Sequence, residues 1–204
     1  MTEFWEAAFA EKQLMWGWEP TLSAVYARDL FARSGAKRVL IPGIGYGRNA
    51  KTFLEREMTV TGIEISATAV ALARAHFGLE VTIHHGSVGD MPFDDQLYDG
   101  IFSFGLIYLL SPTARAKLIE DCYRQLSAGG HMIFTVISKE APMYGQGPKL
   151  GDDCYERLPG LPMFFYDDDS VRREFGGSGL VESFRTVEPT GGGFPFINVV
   201  CAKP

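Results

Sequence analysis

The sequence has few cysteines and no long hydrophobic run. Its 204 residues include three cysteines, Cys122, Cys154 and Cys201, which are odd in number and widely spaced. They predict neither a disulfide framework nor a CxxC pair. The longest nearly apolar stretch, 101–110, is about ten residues long, whereas a membrane-spanning helix needs ~20. We therefore expect a reduced, soluble protein with no membrane partner.

Positive charge is also scarce. Lys and Arg number 19 against 25 Asp and Glu, which gives a net charge of −6. An acidic chain repels phosphate backbones, and no short window is rich in basic side chains, so we expect no nucleic-acid partner. The first residues, MTEFWE, lack the basic and apolar regions of a secretion signal. We expect a cytoplasmic protein.

What the chain does contain is an alternation of short apolar runs and amphipathic stretches. Hydrophobic residues make up 46% and charged residues 22%, which is typical of one globular domain. The alternation predicts an α/β domain with a mostly parallel sheet. We divide the single domain into four regions: helical residues 1–35, a core over 36–138, a loop and helix over 139–179, and a strand pair over 180–204.

The predicted elements follow from turn residues and caps. Strands are expected at 38–41, 58–65, 80–84, 100–106 and 131–138, with a glycine turn at 129–130 before the last. Helices are expected at 2–11, 20–35, 49–57, 111–126 and 167–175, with a further helix capped by Ser66. The helix that starts at Pro20 would bury Leu22, Val25, Tyr26 and Leu30.

The last two predicted strands, 180–188 and 194–202, are joined by a short spacer from Pro189 to Gly193. A parallel crossover needs a dozen or more residues, so this pair must be antiparallel. Residues 139–166 are rich in glycine and proline and are expected to be a long loop, which in a compact domain is usually functional.

The strongest functional signal is a glycine turn between a strand and a helix. Residues 39–49 read VLIPGIGYGRN, with glycines at 43, 45 and 47. Glycine permits positive φ and close approach of a ligand to the backbone. Glu64 lies at the end of the second predicted strand, where a carboxylate can accept hydrogen bonds from both ribose hydroxyls. The pattern predicts a nucleoside site, and the structural alternative is an unliganded tight turn.

Two cofactor classes use this geometry. Dinucleotide enzymes have the spacing G-x-G-x-x-G, whereas this chain has G-x-G-x-G and places Arg48 at the third glycine. The antiparallel terminal pair also departs from the parallel dinucleotide fold. An NAD(P)-dependent reductase is thus an alternative disfavoured by two features. A non-catalytic nucleoside-binding regulatory protein stays open.

With these motifs the chain resembles class I S-adenosylmethionine-dependent methyltransferases, and among them the small thiopurine and tellurite-resistance type enzymes. The resemblance covers about residues 4–202. It rests on the glycine loop, TGIEIS at 61–66, residues 86–93 and LSAGG at 126–130. It implies a doubly wound, Rossmann-like sheet of seven strands in the order 3-2-1-4-5-7-6, mostly parallel with an antiparallel last strand, plus N-terminal helices.

The resemblance also implies an activity and a cofactor site. S-adenosyl-L-methionine would give its methyl group to a small-molecule O, N or S nucleophile by in-line displacement, leaving S-adenosyl-L-homocysteine. Glu64 would bind the ribose, Ile65 would pack on the adenine, and Ser87 and Val88 would contact the adenine edge. Many relatives carry an acid where Ser87 stands, and Asp90 is a possible substitute. The candidate cofactor-binding residues are Trp16, Gly43, Gly45, Gly47, Arg48, Glu64, Ile65, Ser87, Val88 and Phe104.

The acceptor is expected near the segment that leaves the fourth strand, because ligands bind beyond the carboxyl ends of parallel strands. This segment, SFGLIY at 103–108, lacks the Asn/Asp-Pro-Pro-Tyr/Phe motif of enzymes that methylate base amino groups, and no cysteine follows a proline. Both absences disfavour nucleic-acid methylation. Tyr108 is the candidate catalytic residue. Phe104 and Leu106 can line the pocket or belong to the core.

Aromatic side chains predict a cover over the site. Trp16 and Trp18 can form a hinged aromatic cover that contacts a sulfonium cation, or they can pack the helices onto the sheet. The loop 139–166 would place an aromatic lid on the acceptor and exclude water, or form a satellite cluster. Its aromatic residues are Tyr144, Tyr155, Phe164, Phe165 and Tyr166.

Proton-transfer groups and metal ligands are less clearly indicated. Glu140, Asp152 and Asp153 can act as a general base or hold a cationic acceptor. The acidic run at 167–169 is better explained as a helix cap than as a metal cluster, and no His or Cys spacing fits zinc. We expect no metal, and a monomer or homodimer.

Overall fold

The structure is a computed structural model that describes residues 2–78, 80–189 and 193–204. Five strands are parallel: β1 (Arg38–Pro42), β2 (Thr59–Glu64), β3 (Val81–His85), β4 (Tyr98–Ser103) and β5 (Leu126–Ile137). Three short strands follow, β6 (Lys149–Gly151), β7 (Cys154–Leu158) and β8 (Leu161–Phe164), and then β9 (Leu180–Val187) and β10 (Pro195–Ala202).

The main sheet has seven strands in the order β3-β2-β1-β4-β5-β10-β9. β10 runs antiparallel to both β5 and β9. This confirms the predicted α/β fold, its strand order and its antiparallel last strand. Residues 190–192 of the predicted spacer lie outside the described residues.

Six helices accompany the strands in the described chain. They are α1 (Thr2–Lys12), α2 (Leu22–Arg33), α3 (Ala50–Leu54), α4 (Ala67–Phe77), α5 (Pro112–Gln125) and α6 (Asp168–Phe175). Three predicted caps are confirmed, because the side chains of Ser66, Ser111 and Asp167 accept bonds from the first turns of α4, α5 and α6. Such side chains satisfy amide groups that a helix start leaves unpaired. No described helix is long and apolar enough to span a bilayer.

The core consists of two apolar layers, one on each face of the sheet. Successive residues of a strand point to opposite faces, so Leu40 belongs to one layer and its neighbours Val39 and Ile41 to the other. The first layer includes Leu118, Cys122 and Phe175 of the helices after β4, and the second includes Phe31, Phe53 and Phe77 of the helices around β1 and β2. The three cysteines are free.

The predicted buried face of α2 was only partly right, because Tyr26 and Leu30 pack against the second core layer but are not its most buried residues. Pro20 precedes the cap Thr21, and the helix buries Ala24, Ala27 and Phe31, whereas Leu22 is 51% exposed. The small alanines let the helix approach the sheet closely. There the ring of Phe31 lies beside Gly100, and a Cβ on that glycine would come within 2.6 Å of the ring.

The prediction of a loop over 139–166 was also wrong. Strands β6, β7 and β8 form a separate three-stranded antiparallel sheet in that order. Only Pro159 and Gly160 connect β7 to β8, with φ of +76° at the glycine. Pro-Gly is a turn signal, so it could have indicated a hairpin.

Two strand boundaries also differ from the prediction. β4 ends at Ser103 rather than at 106, because Gly105 turns the chain at a φ of +73° into a 3₁₀ turn, Ile107–Leu109. β5 begins at Leu126, so the predicted glycine turn at 129–130 lies inside this strand. The pairing of β5 with β4 is irregular there.

Candidate functional site

A cavity of about 510 Å³ opens at the carboxyl ends of the central parallel strands. Its lining comes from α1, the glycine loop and the ends of β2, β3 and β4, together with β8 and β10. All the predicted cofactor-binding residues except Gly47 line it, and so does Tyr108. The topology therefore brings together residues that are scattered along the sequence.

The glycine loop adopts left-handed backbone at each glycine, with φ of +72°, +59° and +88° at Gly43, Gly45 and Gly47. A Cβ on Gly43 would lie 3.1 Å from the side chain of Leu106, and both residues line the cavity. A Cβ on Gly47 would lie 2.6 Å from the ring of Phe77 in α4. Gly47 is therefore a packing position, and the two earlier glycines face the cavity.

Glu64 joins the end of β2 to the glycine loop. Its Oε2 accepts a bond from the Gly45 amide at 2.8 Å, and its Oε1 accepts bonds from the amides of Ile65 and Ser66, each at 2.9 Å. The residue is 6% exposed, and burial raises the pKa of its carboxyl because a desolvated charge is disfavoured. The three amide donors act in the opposite direction and hold the carboxylate in place.

The ends of β2 and β3 form one wall of the cavity. Ser87 caps a 3₁₀ turn, Val88–Asp90, by accepting a bond from the Gly89 amide at 3.1 Å. Asp90, the predicted substitute for an acidic adenine contact, is exposed and outside the lining. The two histidines at the end of β3 also lie outside it: His84 contacts Asp94 at 3.1 Å, and His85 contacts the Ile65 carbonyl oxygen at 3.2 Å.

Trp16 and Trp18 differ in their positions. Trp16 lies where the predicted cover would be, whereas Trp18 has the predicted packing role. Trp16 lines the cavity and stacks on Tyr46 with ring centroids 6.3 Å apart. The Tyr46 hydroxyl accepts a bond from the Trp16 amide and donates one to the Gly17 carbonyl oxygen. Trp18 instead stacks on His76 at 3.9 Å, outside the cavity lining.

Helix α1 lies over the cavity and is attached to the start of α4 through Glu6. The sequence analysis did not predict this contact. The Glu6 carboxylate accepts bonds from the hydroxyls of Ser66 and Thr68 and from the Thr68 amide. The hydrogen bond from Ser66 contributes most to lowering the pKa of Glu6 to about 2. An acid directly after the aromatic pair Phe4 and Trp5 carries no recognisable signal of this contact.

Beyond β4 the wall of the cavity is aromatic. Phe104 packs against Phe196 of β10 at 5.3 Å between ring centroids, and Phe196 lies 6.3 Å from Tyr108. Tyr108 is 9% exposed, and burial raises the pKa of its phenol well above the ordinary value. It therefore stays protonated at neutral pH and can donate a hydrogen bond. The contribution of Phe196 could not be predicted without knowing how β10 pairs.

The segment 139–166 contributes aliphatic and thioether side chains to the cavity rather than the predicted aromatic ones. Met143, Leu161 and Met163 line the cavity. By contrast Tyr144, Tyr155 and Phe165 pack on one another at 5.4–6.1 Å between ring centroids. These three rings thus form a cluster beside the small sheet, while Phe164 and Tyr166 pack on each other at 4.7 Å.

The candidate bases of the same segment lie in ion pairs outside the cavity. Asp153 accepts bonds from Lys139 at 2.7 Å and Tyr144 at 2.6 Å, and Glu140 pairs with Arg185 at 3.3 Å. Asp152 lies on the surface, 3.5 Å from Lys149. In the part of the chain that the structure describes, no three His, Cys, Asp or Glu side chains form a group that could hold a metal ion.

Arg48 carries a positive charge into the cavity wall. Its Nη1 donates to the Trp16 carbonyl oxygen at 2.9 Å, and the guanidinium carbon lies 5.9 Å from the Trp16 ring and 5.7 Å from the Phe104 ring. The residue is 7% exposed, and burial lowers the pKa of its guanidinium. The site thus combines a buried carboxylate, a buried guanidinium and an aromatic wall.

Comparison with known proteins agrees with this arrangement. Residues 39–130 match the family model described as "Methyltransferase domain". The chain is 24% identical over 157 residues to the tRNA N(3)-methylcytidine methyltransferase Mettl2 of Drosophila melanogaster, covering 69% of this chain and 47% of that protein. It is 28% identical over 112 residues to a ubiquinone biosynthesis O-methyltransferase of Alkalilimnicola ehrlichii, covering 53% and 44%.

Among solved structures, the 1,6-didemethyltoxoflavin-N1-methyltransferase of Burkholderia thailandensis superposes with a TM-score of 0.77 at 18% identity, over 99% of this chain and 86% of that one. That structure holds 1,6-didemethyltoxoflavin and S-adenosylhomocysteine. The chain spans about half the length of the curated relatives it matches. Over residues 39–130 the chain is thus similar to methyltransferase domains, and its sheet has the fold of the solved methyltransferase structure on which it superposes.

Proposed function

We propose that this protein transfers the methyl group of S-adenosylmethionine to a small-molecule O, N or S nucleophile and leaves S-adenosylhomocysteine. The observation that carries the proposal is one continuous cavity that runs from Glu64, across the glycine loop, to Tyr108. It lies at the switch point between β1 and β4, where ligands of open α/β sheets bind.

In this proposal the cofactor lies along the first half of the cavity. Glu64 binds the ribose hydroxyls: its Oε2 accepts one amide bond, which leaves it a second acceptor position. Gly43 and Gly45 pass under the methionine part, where a Cβ would obstruct the ligand. Ile65 and Val88 enclose the adenine, with Ser87 at its edge.

The chemistry needs alignment more than acid–base groups. In an in-line displacement the acceptor's electron pair forms the new bond to the methyl carbon, while the electrons of the carbon–sulfur bond pass to sulfur. Holding the two reactants in line can supply ~7–11 kcal/mol of the barrier reduction. Helix α1 and the small sheet exclude water, and Tyr108 orients the acceptor by donating a hydrogen bond.

A small acceptor is favoured by the enclosure and the charge of the protein. The acceptor side is closed by Met143, Leu161 and Met163 in addition to the aromatic wall. The net charge of −6 disfavours a nucleic acid, although one relative is named as a tRNA methyltransferase. The relatives named for toxoflavin and ubiquinone precursors support a small-molecule acceptor.

A turnover assay with Tyr108→Phe tests the proposal. Wild-type protein is incubated with S-adenosylmethionine and a library of phenols, thiols and amines, and S-adenosylhomocysteine is quantified. We expect acceptor-dependent product, reduced in Tyr108→Phe with unchanged cofactor affinity. Cofactor binding without turnover of any acceptor would favour the regulatory alternative, and hydride transfer from NADPH would favour the reductase.

A further inference from the structure

A buried arginine links the turn after β4 to α6 and to the small sheet. Arg115 lies in the first turn of α5 and is 5% exposed. Its Nη1 donates to the Leu110 carbonyl oxygen at 3.1 Å, and its Nε and Nη2 donate to the carboxylate of Glu174 in α6 at 2.9–3.2 Å. The guanidinium carbon lies 4.1 Å from the centroid of the Phe164 ring in β8. One side chain therefore holds three segments of the chain in contact.

The bond to Leu110 acts on the segment that carries Tyr108. Leu110 follows the 3₁₀ turn Ile107–Leu109, and its amide donates to the Ile107 carbonyl oxygen at 3.1 Å, which closes the turn. Both Leu110 and Tyr108 line the cavity. Because Arg115 binds the residue that ends the turn, it limits how far Tyr108 can move relative to α5.

The contact with Phe164 acts on a second wall of the cavity. Met163, which precedes Phe164 in β8, lines the cavity. Neighbouring residues of a strand point to opposite faces, so Arg115 packs behind Met163, and its cation is attracted to the ring beneath it. The Phe164 ring also packs edge-on against Tyr166 at 4.7 Å, and the Tyr166 hydroxyl donates to Glu174 at 2.8 Å. The strand is thus held by the same cluster that holds the turn.

The shape of a guanidinium suits this position. Its nitrogens point in fixed directions within one plane, whereas the ammonium of a lysine is a compact point charge. A guanidinium can therefore bind Glu174, donate to Leu110 and lie over Phe164 at the same time. Desolvation offsets much of the attraction within a buried ion pair. We therefore expect Arg115 to contribute more to geometry than to the free energy of unfolding.

We propose that Arg115 is a positioning residue, which fixes the separation between the turn that carries Tyr108 and strand β8 and thereby the width of the proposed acceptor side. Arg115 itself lies outside the cavity lining, so it acts through Tyr108 and Met163 and not on a ligand. This inference rests on the proposed methyltransferase function and names a further residue on which the reaction depends.

Two variants separate positioning from stabilisation. Arg115→Lys keeps a positive charge beside Glu174, but its single nitrogen cannot serve Glu174 and Leu110 together. Glu174→Gln weakens the ion pair and keeps the guanidinium, its bond to Leu110 and its contact with Phe164. If the pair only stabilises the fold, the two variants should behave alike. The control is Arg124→Met, which removes an arginine of the same helix whose side chain is 63% exposed.

Hydrogen exchange on protein saturated with S-adenosylhomocysteine reports the turn without an acceptor. The amides of Leu109 and Leu110 bond to carbonyl oxygens three residues earlier, so their exchange follows opening of the turn. We expect Arg115→Lys to increase their exchange rates ~tenfold or more, because a bond from a charged donor is lost. Glu174→Gln and Arg124→Met should leave these rates near those of wild type. Urea unfolding of all four proteins measures overall stability alongside.

Turnover gives the functional measurement. The acceptor is the library phenol, thiol or amine that the wild type methylates fastest. Arg115→Lys should lower kcat ~10–100-fold, as expected for misaligned reactants, with unchanged affinity for S-adenosylhomocysteine. Glu174→Gln and Arg124→Met should keep the wild-type kcat.

Three results would overturn the proposal: wild-type exchange rates in Arg115→Lys, equal changes in Arg115→Lys and Glu174→Gln, or faster exchange in Arg115→Lys with an unchanged kcat. Wild-type protein that binds no S-adenosylhomocysteine would instead reject the proposed function itself. That binding is measured first, so the two failures are distinguishable.

Discussion

At Gly47 both the backbone and the packing require a residue without a side chain. Its φ of +88° lies in the left-handed region, and a Cβ would come within 2.6 Å of the ring of Phe77. Phe77 also packs edge-on against Trp18 at 6.2 Å, so its ring has neighbours on a second side. The third glycine of the loop thus packs the loop against α4 and lies outside the cavity lining.

We therefore expect Gly47→Ala to destabilise the fold by more than backbone strain alone. The matched control is Gly145→Ala, which has a φ of +77° and no heavy atom within 4 Å of the added Cβ. Left-handed backbone should cost each variant ~1–2 kcal/mol, and the clash at Gly47 should add ~1–3 kcal/mol. Urea unfolding measures the free energy of unfolding of both variants. Equal losses of stability would refute the packing role of Gly47.

At the scale of the element, an electrostatic contact through Glu6 helps to hold α1 over the cavity. Glu6 bonds to the first turn of α4, where the helix dipole also favours a negative charge. The rings of Trp5 and Phe9 then lie against Trp16, with centroids 6.2 and 5.9 Å away. The helix thus brings aromatic surface to the mouth of the cavity.

The attachment of α1 should weaken in acid. The pKa of Glu6 in the folded protein is about 2, below its ordinary value of 4.5, so its stabilising effect is complete above pH 4.5 and is lost as the pH falls toward 2. Glu6→Gln should increase hydrogen exchange of the α1 amides at neutral pH. The difference from wild type should narrow below pH 4.5; a difference that persists unchanged in acid would contradict this account.

The small sheet should determine acceptor size without affecting the cofactor. Met163 of β8 lines the cavity, so Met163→Ala should enlarge the acceptor side and change the acceptor KM by roughly 5–30-fold, as for a loss of ~1–2 kcal/mol of contact. Leu158→Ala, in the exposed part of the same sheet, is the control. A comparable change in affinity for S-adenosylhomocysteine in Met163→Ala would place β8 on the cofactor instead.

Elements with strong local signals could be predicted from the sequence, and those set by tertiary contacts could not. Ser66, Ser111 and Asp167 mark helix starts because a side-chain oxygen caps a first turn wherever the helix packs. The buried face of α2 depends on the sheet beneath it, where Phe31 lies over Gly100. Local periodicity therefore predicted the helix and only part of its buried face.

The same distinction applies to the candidate site. Glu64 could be located because it ends a strand at a fixed distance from the glycine loop. Phe196 and Met163 reach the cavity only through the pairing of β10 and the hairpin of β7 and β8. No short-range pattern places them there.

For the whole molecule, the sheet order determines where chemistry can occur. The crossover between β1 and β4 opens a crevice, and the proposed nucleoside and acceptor positions lie on opposite sides of it along the sheet. Lys139, at the end of β5, bonds to Asp153 of the small-sheet segment at 2.7 Å and to Asp167 at the start of α6 at 2.6 Å. These ion pairs join the segment that carries the small sheet to the main domain.

The central claim is that Glu64 binds the ribose of an S-adenosyl cofactor, and calorimetric titration of S-adenosylhomocysteine into wild type and Glu64→Ala tests it most directly. Loss of bonds to a charged acceptor, at ~1.5–3 kcal/mol each, predicts that affinity falls at least ~tenfold. The surface control Glu140→Ala should bind as wild type does, with far-UV circular dichroism confirming that all three are folded. Equal binding by Glu64→Ala, or wild-type protein that binds NADH and not S-adenosylhomocysteine, would contradict the account.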